Sequence, residues 1–137
     1  MNLSSWLEMT LRFLLAASFG ASIGYQRERA GKAAGMRTHI LVCSGAALFT
    51  LVSIYGFGGA AVDISRVAAG VVAGIGFIGA GVIFRGLRGE GVAGLTTAAS
   101  LWAAAAIGLA AGTGMYLLSV IATAVTVGVL FLPKVRG

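Results

Sequence analysis

Apolar positions along this chain come in long blocks. Val67–Phe84 is 18 residues with no charged side chain, Thr38–Val62 is 25 with His39 counted as neutral, and Gly91–Pro133 is 43. About 18 apolar residues suffice for a helix to cross the hydrocarbon core of a bilayer. A straight helix as long as the last block would measure roughly 65 Å. That block must therefore fold back, and Gly112-Thr113-Gly114, a poor helix interior, is where it breaks. The pattern predicts five spanning helices, at about Leu3–Gly24, Thr38–Phe57, Ser65–Phe84, Thr96–Ala111 and Met115–Leu132. Thr38, Asp63 or Ser65, and Thr96 stand where helix N-caps are wanted, and Pro133 stands where the last helix must stop. The first span is interrupted by Glu8 and Arg12. Residues 1–12 can alternatively lie as an interfacial helix ahead of a shorter crossing.

Composition agrees with that pattern. The 137 residues are 58% hydrophobic and only 10% charged, against roughly 25% charged in soluble domains. Too little polar side chain exists to coat a water-facing surface, so the chain reads as a single all-α integral membrane domain over residues 1–137. The start is not a signal peptide, because it lacks a basic n-region and an A-x-A site. One cysteine, Cys43, excludes an internal disulfide and a thiolate metal cluster, and reads as a small core residue.

Charge sets the expected orientation. Arg27, Arg29, Lys32 and Arg37 fall in the first loop, Arg85 and Arg88 in the third, and Lys134 and Arg136 in the tail. With five crossings these lie on one side, while Arg66 is the basic residue in the opposite loops. The positive-inside rule then puts the N-terminus outside and the C-terminus in the cytoplasm. The net charge of +6 follows from this topology and from contact with anionic lipid, so nucleic acid is not an expected partner.

Two glycine motifs resemble phosphate cradles. Gly74, Gly76 and Gly79 spell G-x-G-x-x-G, but no strand precedes them and no acid follows at the right distance. In an apolar helix the same residues read as small-xxx-small packing positions: Gly70 with Gly74, and Gly76 with Ala80. Gly89–Thr96 approaches a P-loop, with Leu95 where the lysine is required. A basic glycine-rich loop entering a helix at Thr96 can hold an anion or a lipid phosphate, and its plainer reading is a capped turn.

Intramembrane charge is the sharper signal. Glu8 and Arg12 are four apart on one helical face and can pair; such residues face a bundle interior or an aqueous cavity when they are not snorkelling. Asp63 and Arg66 form a possible i,i+3 pair at the outer mouth of the third span, with Asp63 as a helix cap the plainer reading. His39 reads as a helix-start or interfacial residue. The acids are Glu8, Glu28, Asp63 and Glu90, too few and too scattered for one subunit to build a magnesium or calcium cage. A symmetric oligomer can form a ring of Asp63 or Glu8. No paired catalytic carboxylates or nucleophile–base set appears, so neither enzymatic activity nor a cofactor is expected.

Three segments together resemble the MgtC/SapB family of membrane proteins. They are GYQRERAGKAAGMRTHILVCSGAALF (Gly24–Phe49), DISRVAAGVVAGIGFIGAGVIFR (Asp63–Arg85) and GLTTAASLWAAAAIG (Gly94–Gly108). The resemblance implies a five-helix membrane domain with a cytoplasmic C-terminus. It also implies a role in magnesium homeostasis or in survival when magnesium is scarce, including inside host cells. Matching positions are Arg27, Glu28, Arg37 and Thr38; Asp63, Arg66, Gly74, Gly76, Gly79, Gly81 and Arg85; and Gly94, Thr96, Thr97 and Trp102. Gln26 stands where the family usually has Glu, and Gly70 where Gln is common. The chain ends at Gly137, where many relatives continue into a soluble ACT-like domain, so a cytoplasmic sensing role is not expected of it.

The resulting expectation is a small regulatory or interaction protein of the bacterial cytoplasmic (inner) membrane, with an oligomeric Mg2+ channel or transporter as the alternative. Its expected partners are the bilayer, further copies of itself and other membrane proteins, with Mg2+ a candidate ligand. Gly70, Gly74, Gly76, Gly79 and Gly81 are the expected helix contacts.

Overall fold

The computed structural model describes residues 1–86 and 94–133. Those residues form five helices: α1 (Leu3–Arg29), α2 (Met36–Tyr55), α3 (Ser65–Gly86), α4 (Leu95–Gly112) and α5 (Tyr116–Leu130). By length and composition, α2, α3 and α4 are long and apolar enough to cross a membrane, while α5 is apolar but shorter.

Local chemistry explains the helix ends. Asn2 caps α1 by accepting the Ser5 amide at 2.9 Å. The helix runs on to Arg29, past the expected end at Gly24, because Tyr25–Arg29 contains no breaker and Arg27 and Arg29 complement the carbonyl end of the dipole. It stops in a Schellman turn: Gly31 has φ +70°, Lys32 N–H donates to Arg27 O and Gly31 N–H to Glu28 O. Consequently Arg27 and Arg29 sit on the helix and not in a loop. The same turn closes α4 at Gly114 (φ +87°), with Met115 N–H on Ala110 O, which is the break expected there. Two caps fall elsewhere than expected. Gly35 precedes α2 and Gly94 precedes α4, so Thr38 and Thr96 lie within the first turns.

The helices alternate in direction. Arg27 near the end of α1 meets Thr97 at the start of α4, and Gln26 meets Leu130 at the end of α5. At the other end Arg12 reaches the last turn of α4 and the first of α5. The core between these ends is mostly small residues, Ala16 of α1, Cys43 and Ala47 of α2, and Ala104 and Ala111 of α4, with Ile23 of α1 and Ile107 of α4 as its larger members.

Glycines hold that core together, though not those of α3. A Cβ at Gly20 would lie 2.5 Å from His39 O, and one at Gly24 2.5 Å from Met36 Cα. On the other flank a Cβ at Gly108 would overlap Cys43 O, and one at Gly112 would lie 2.8 Å from Thr50 Cβ. Two G-x-x-x-G pairs, Gly20/Gly24 and Gly108/Gly112, thus grip α2 from both sides, backbone against backbone. By contrast, α3 packs on α4 and, less, on α2, and touches neither α1 nor α5 among the described residues. A Cβ at Gly70, Gly74, Gly76 or Gly81 would meet nothing within 4 Å, and one at Gly79 only Ala98 at 3.6 Å. Among the described residues, then, Gly79 touches α4 while Gly70, Gly74, Gly76 and Gly81 face open space. The reason is geometric: α3 lies on the outside of the bundle, and Ile75 is its buried hydrophobic residue.

Gly20→Ala or Gly108→Ala is expected to destabilise the fold by several kcal/mol, on the order of an overpacked core. Gly74→Ala and Gly81→Ala are expected to be neutral or to stabilise by about 0.5–1 kcal/mol through helix propensity. Reversible unfolding in detergent–SDS mixtures measures both.

Candidate functional site

Polar side chains gather at the two ends of the small-residue core, and each cluster ties α1 to helices distant in sequence. At one end Arg27 is 4% exposed, and its Nη2 donates to Thr97 Oγ1. Nearby, His39 is fully buried, with Nδ1 2.9 Å from Gly35 O and Nε2 2.9 Å from Ser100 Oγ. A carbonyl oxygen only accepts, so Nδ1 carries the proton. The single Ser100 hydroxyl proton is then shared between Nε2 and Thr97 O, 2.7 Å away. Gln26 completes the cluster, its Nε2 donating to Leu130 O at 3.1 Å. Arg27 Nε and Gln26 Oε1 are buried without a partner among the described residues.

The opposite cluster centres on Arg12. Its Nη2 pairs with Glu8 Oε1 at 2.5 Å, Nη1 donates to Gly112 O at 3.1 Å, and Nε to Tyr116 OH at 3.3 Å. The Tyr116 hydroxyl lies 3.3 Å from the same Glu8 oxygen, and the guanidinium lies 6.0 Å from the Tyr55 ring centroid. Arg12 thus satisfies an orphan carbonyl at the negative end of α4 while Glu8 neutralises it. The side chain of Glu8 is 47% exposed, so the pair lies at the bundle's edge.

The other sequence candidates are spread around the molecule. Asp63 does not form an ion pair with Arg66 among the described residues. Its carboxylate instead accepts the Ser65 hydroxyl at 2.6 Å and the Ser65 amide at 2.9 Å. The Ser65 hydroxyl first, then its amide, hold the Asp63 carboxyl below its ordinary pKa. Arg37, Asp63, Arg66, Glu28 and Thr96 are exposed, and Thr38 is half-buried. Arg85 stands in the last turn of α3. The loop around Arg88 and Glu90, where an anion site was considered, and the tail with Lys134 and Arg136 lie outside the described residues. Among the described residues no group of three or more His, Cys, Asp or Glu side chains is placed to hold a metal ion.

Ser100 and Tyr116 are site residues that the sequence did not flag, while His39 read only as a helix-start or interfacial residue and Gln26 only as a departure from the family. A usable signal existed for His39: with Cys43, Ala46 and Thr50 it forms an i, i+4, i+7, i+11 stripe of buried residues along α2.

Thr97→Val, which strands the Arg27 guanidinium, is expected to cost about 1–3 kcal/mol. Adding Arg27→Met should recover part of that loss, because a buried ion with no partner costs more than an apolar replacement. Equilibrium unfolding of the two single variants and the double variant checks the coupling. For Asp63, the depressed pKa means its contribution is present above the ordinary aspartate range and is lost as pH falls through the lower folded value. Amide exchange at the start of α3 should therefore quicken at acid pH in the native chain, but show no such step in Asp63→Asn.

Comparison with known proteins places the chain among relatives. The profile of the MgtC family matches residues 13–136. The chain is 46% identical over 129 residues to the Escherichia coli (strain K12) protein named "Putative magnesium transporter YhiD", covering 90% of this chain and 59% of that one. It is 45% identical over 128 residues to protein SrpB of Synechococcus elongatus, covering 86% and 70%. With protein MgtC of Brucella abortus the identity is 43% over 117 residues, covering 84% and 48%. The chain therefore spans only about half to two thirds of the length of several of these relatives. No solved structure matches it.

Proposed function

The chain belongs to the MgtC family, and on that premise we propose that it serves magnesium homeostasis as a multi-pass protein of the bacterial cytoplasmic membrane. It acts by docking on other membrane proteins or on further copies of itself, not by passing the ion through its own bundle. Five crossings with the N-terminus outside and the Arg27 end in the cytoplasm suit the alternating helices and the grouping of basic residues. The link to magnesium comes from the printed name of the YhiD relative, and neither that relative nor the others cited carries the name of an enzyme.

One observation supports docking over conduction through a single subunit: the centre of the bundle is filled, and an apolar groove lies open on its flank. Ala16, Ile23, Cys43, Ala104 and Ile107 fill the centre at 0–1% exposure. Outside it, a third G-x-x-x-G pair, Gly70/Gly74, lines an apolar groove of about 570 Å³ between α2 and α3, with Phe49 and Ile78 on its walls. Pairs of this spacing let helix backbones approach closely in lipid, and here the approach is left to something outside the chain.

Purified protein in liposomes containing a magnesium-sensitive dye is expected to give tight vesicles with no saturable Mg2+ entry. In cells, Gly74→Leu is expected to leave folding intact and to abolish support of growth at low magnesium. Saturable Mg2+ entry that Asp63→Asn removes would overturn the docking reading in favour of an oligomeric transporter.

A further inference from the structure

At the Arg27 end, a recess of about 500 Å³ opens between α1 and α5. One wall is polar and cationic, formed by Ser22, Tyr25, Gln26 and Arg29 of α1; the other is apolar, formed by Val127 of α5 and Phe131 just beyond it. We propose that this recess holds the headgroup junction of a glycerophospholipid, with its phosphodiester on Arg29 and a headgroup hydrogen-bond donor on Gln26. The assignment rests on the reading that α1 and α5 cross the bilayer.

Gln26 supplies the more specific half. It is 9% exposed, and its Nε2 is committed to Leu130 O at 3.1 Å. That bond fixes the amide orientation, because a carbonyl cannot donate. Oε1 is therefore a pure acceptor, buried and without a partner among the described residues, on a side chain that lines the recess. An acceptor in that state is costly unless something donates to it.

Arg29 supplies the other half. It forms no ion pair among the described residues, and its guanidinium lies 5.9 Å from the Tyr25 ring centroid. The ring steadies the cation on the side of the helix that bounds the recess. A guanidinium offers a planar fork that matches a phosphodiester. The Val127–Phe131 wall takes the glycerol and first methylenes, which a free inorganic anion lacks. The complementary ligand thus carries a phosphate, an apolar body and an O–H or N–H on its headgroup. Phosphatidylethanolamine and phosphatidylglycerol meet all three requirements. Phosphatidylcholine meets two, since its quaternary ammonium has no N–H.

Native mass spectrometry of the detergent-purified protein, titrated with these three lipids bearing identical acyl chains, reads the site directly. The ethanolamine and glycerol lipids should bind about threefold to tenfold tighter than the choline lipid, the worth of one hydrogen bond. Gln26→Met should bring the three to parity, and Arg29→Gln, an exposed change that leaves the core untouched, should weaken all three on the order of fivefold. Equal binding of all three lipids by the native chain would overturn the proposal, as would competition by inorganic phosphate at the lipid's own affinity. Labelling of the single-cysteine variants Asn2→Cys, Lys32→Cys, Thr113→Cys and Leu132→Cys of a Cys43→Ala chain with a membrane-impermeant reagent separates the two levels. Opposite-face labelling within the Asn2/Lys32 and Thr113/Leu132 pairs, with no lipid preference, refutes the lipid site alone, while a pair labelled on one face refutes the crossing of α1 or α5 as well.

Discussion

Backbone contact between α2 and its two neighbours is the constraint on which the rest of the structure depends. In lipid, burying an apolar side chain gains little, since the surrounding chains are as apolar as leucine. Helices there associate by dispersion, which requires atoms at contact distance over a long stretch. Gly20 and Gly24 let α1 come down on α2, and Gly108 and Gly112 let α4 do so from the other flank. Most side chains between them are correspondingly small, Ala16, Cys43, Ala47, Ala104 and Ala111, with Ile23 and Ile107 filling the remaining space.

A core packed so closely has no room for water, so any polar group near it must be satisfied by its neighbours. That pressure pushes polarity to the two ends. Thr97 and Ser100, one turn apart on α4, serve Arg27 and His39 from different helices. Arg12 occupies the carbonyl end of α4 and draws Glu8 and Tyr116 around it. These clusters set the register of the helices, and they account for Arg12 and Arg27 without requiring an ion path. Most of α3 is left exposed, and its own small-residue pair lines an apolar groove.

Much of the helix layout was legible in the sequence, because long charge-free blocks and the Gly112–Gly114 break depend only on local composition. The α1 end was not, since nothing in Tyr25–Arg29 distinguishes a polar helical turn from a loop until the Schellman turn at Gly31 is seen. The packing glycines of the core went unrecognised for a related reason. GASIG in α1, GLAAG in α4 and GVVAG in α3 share one spacing, and spacing does not tell which helix lies inside. The dense glycines of α3 drew attention, while the sparser pairs of α1 and α4 make the contacts. Similarly, Arg27 read as a first-loop residue and His39 as a helix-start or interfacial one, because the partners that bury them are 70 and 61 positions away.

Cys43 sits at the centre of this account, fully buried between Gly20 and Gly108, and as the single cysteine it reports on the core without further engineering. Labelling of the membrane-embedded native chain with a small, charged, thiol-specific reagent tests the closed core most directly. The account predicts no modification over hours until a denaturant is added, and then one label per chain. Rapid modification of the folded protein from the aqueous phase would mean that water reaches the middle of the bundle, and would contradict it.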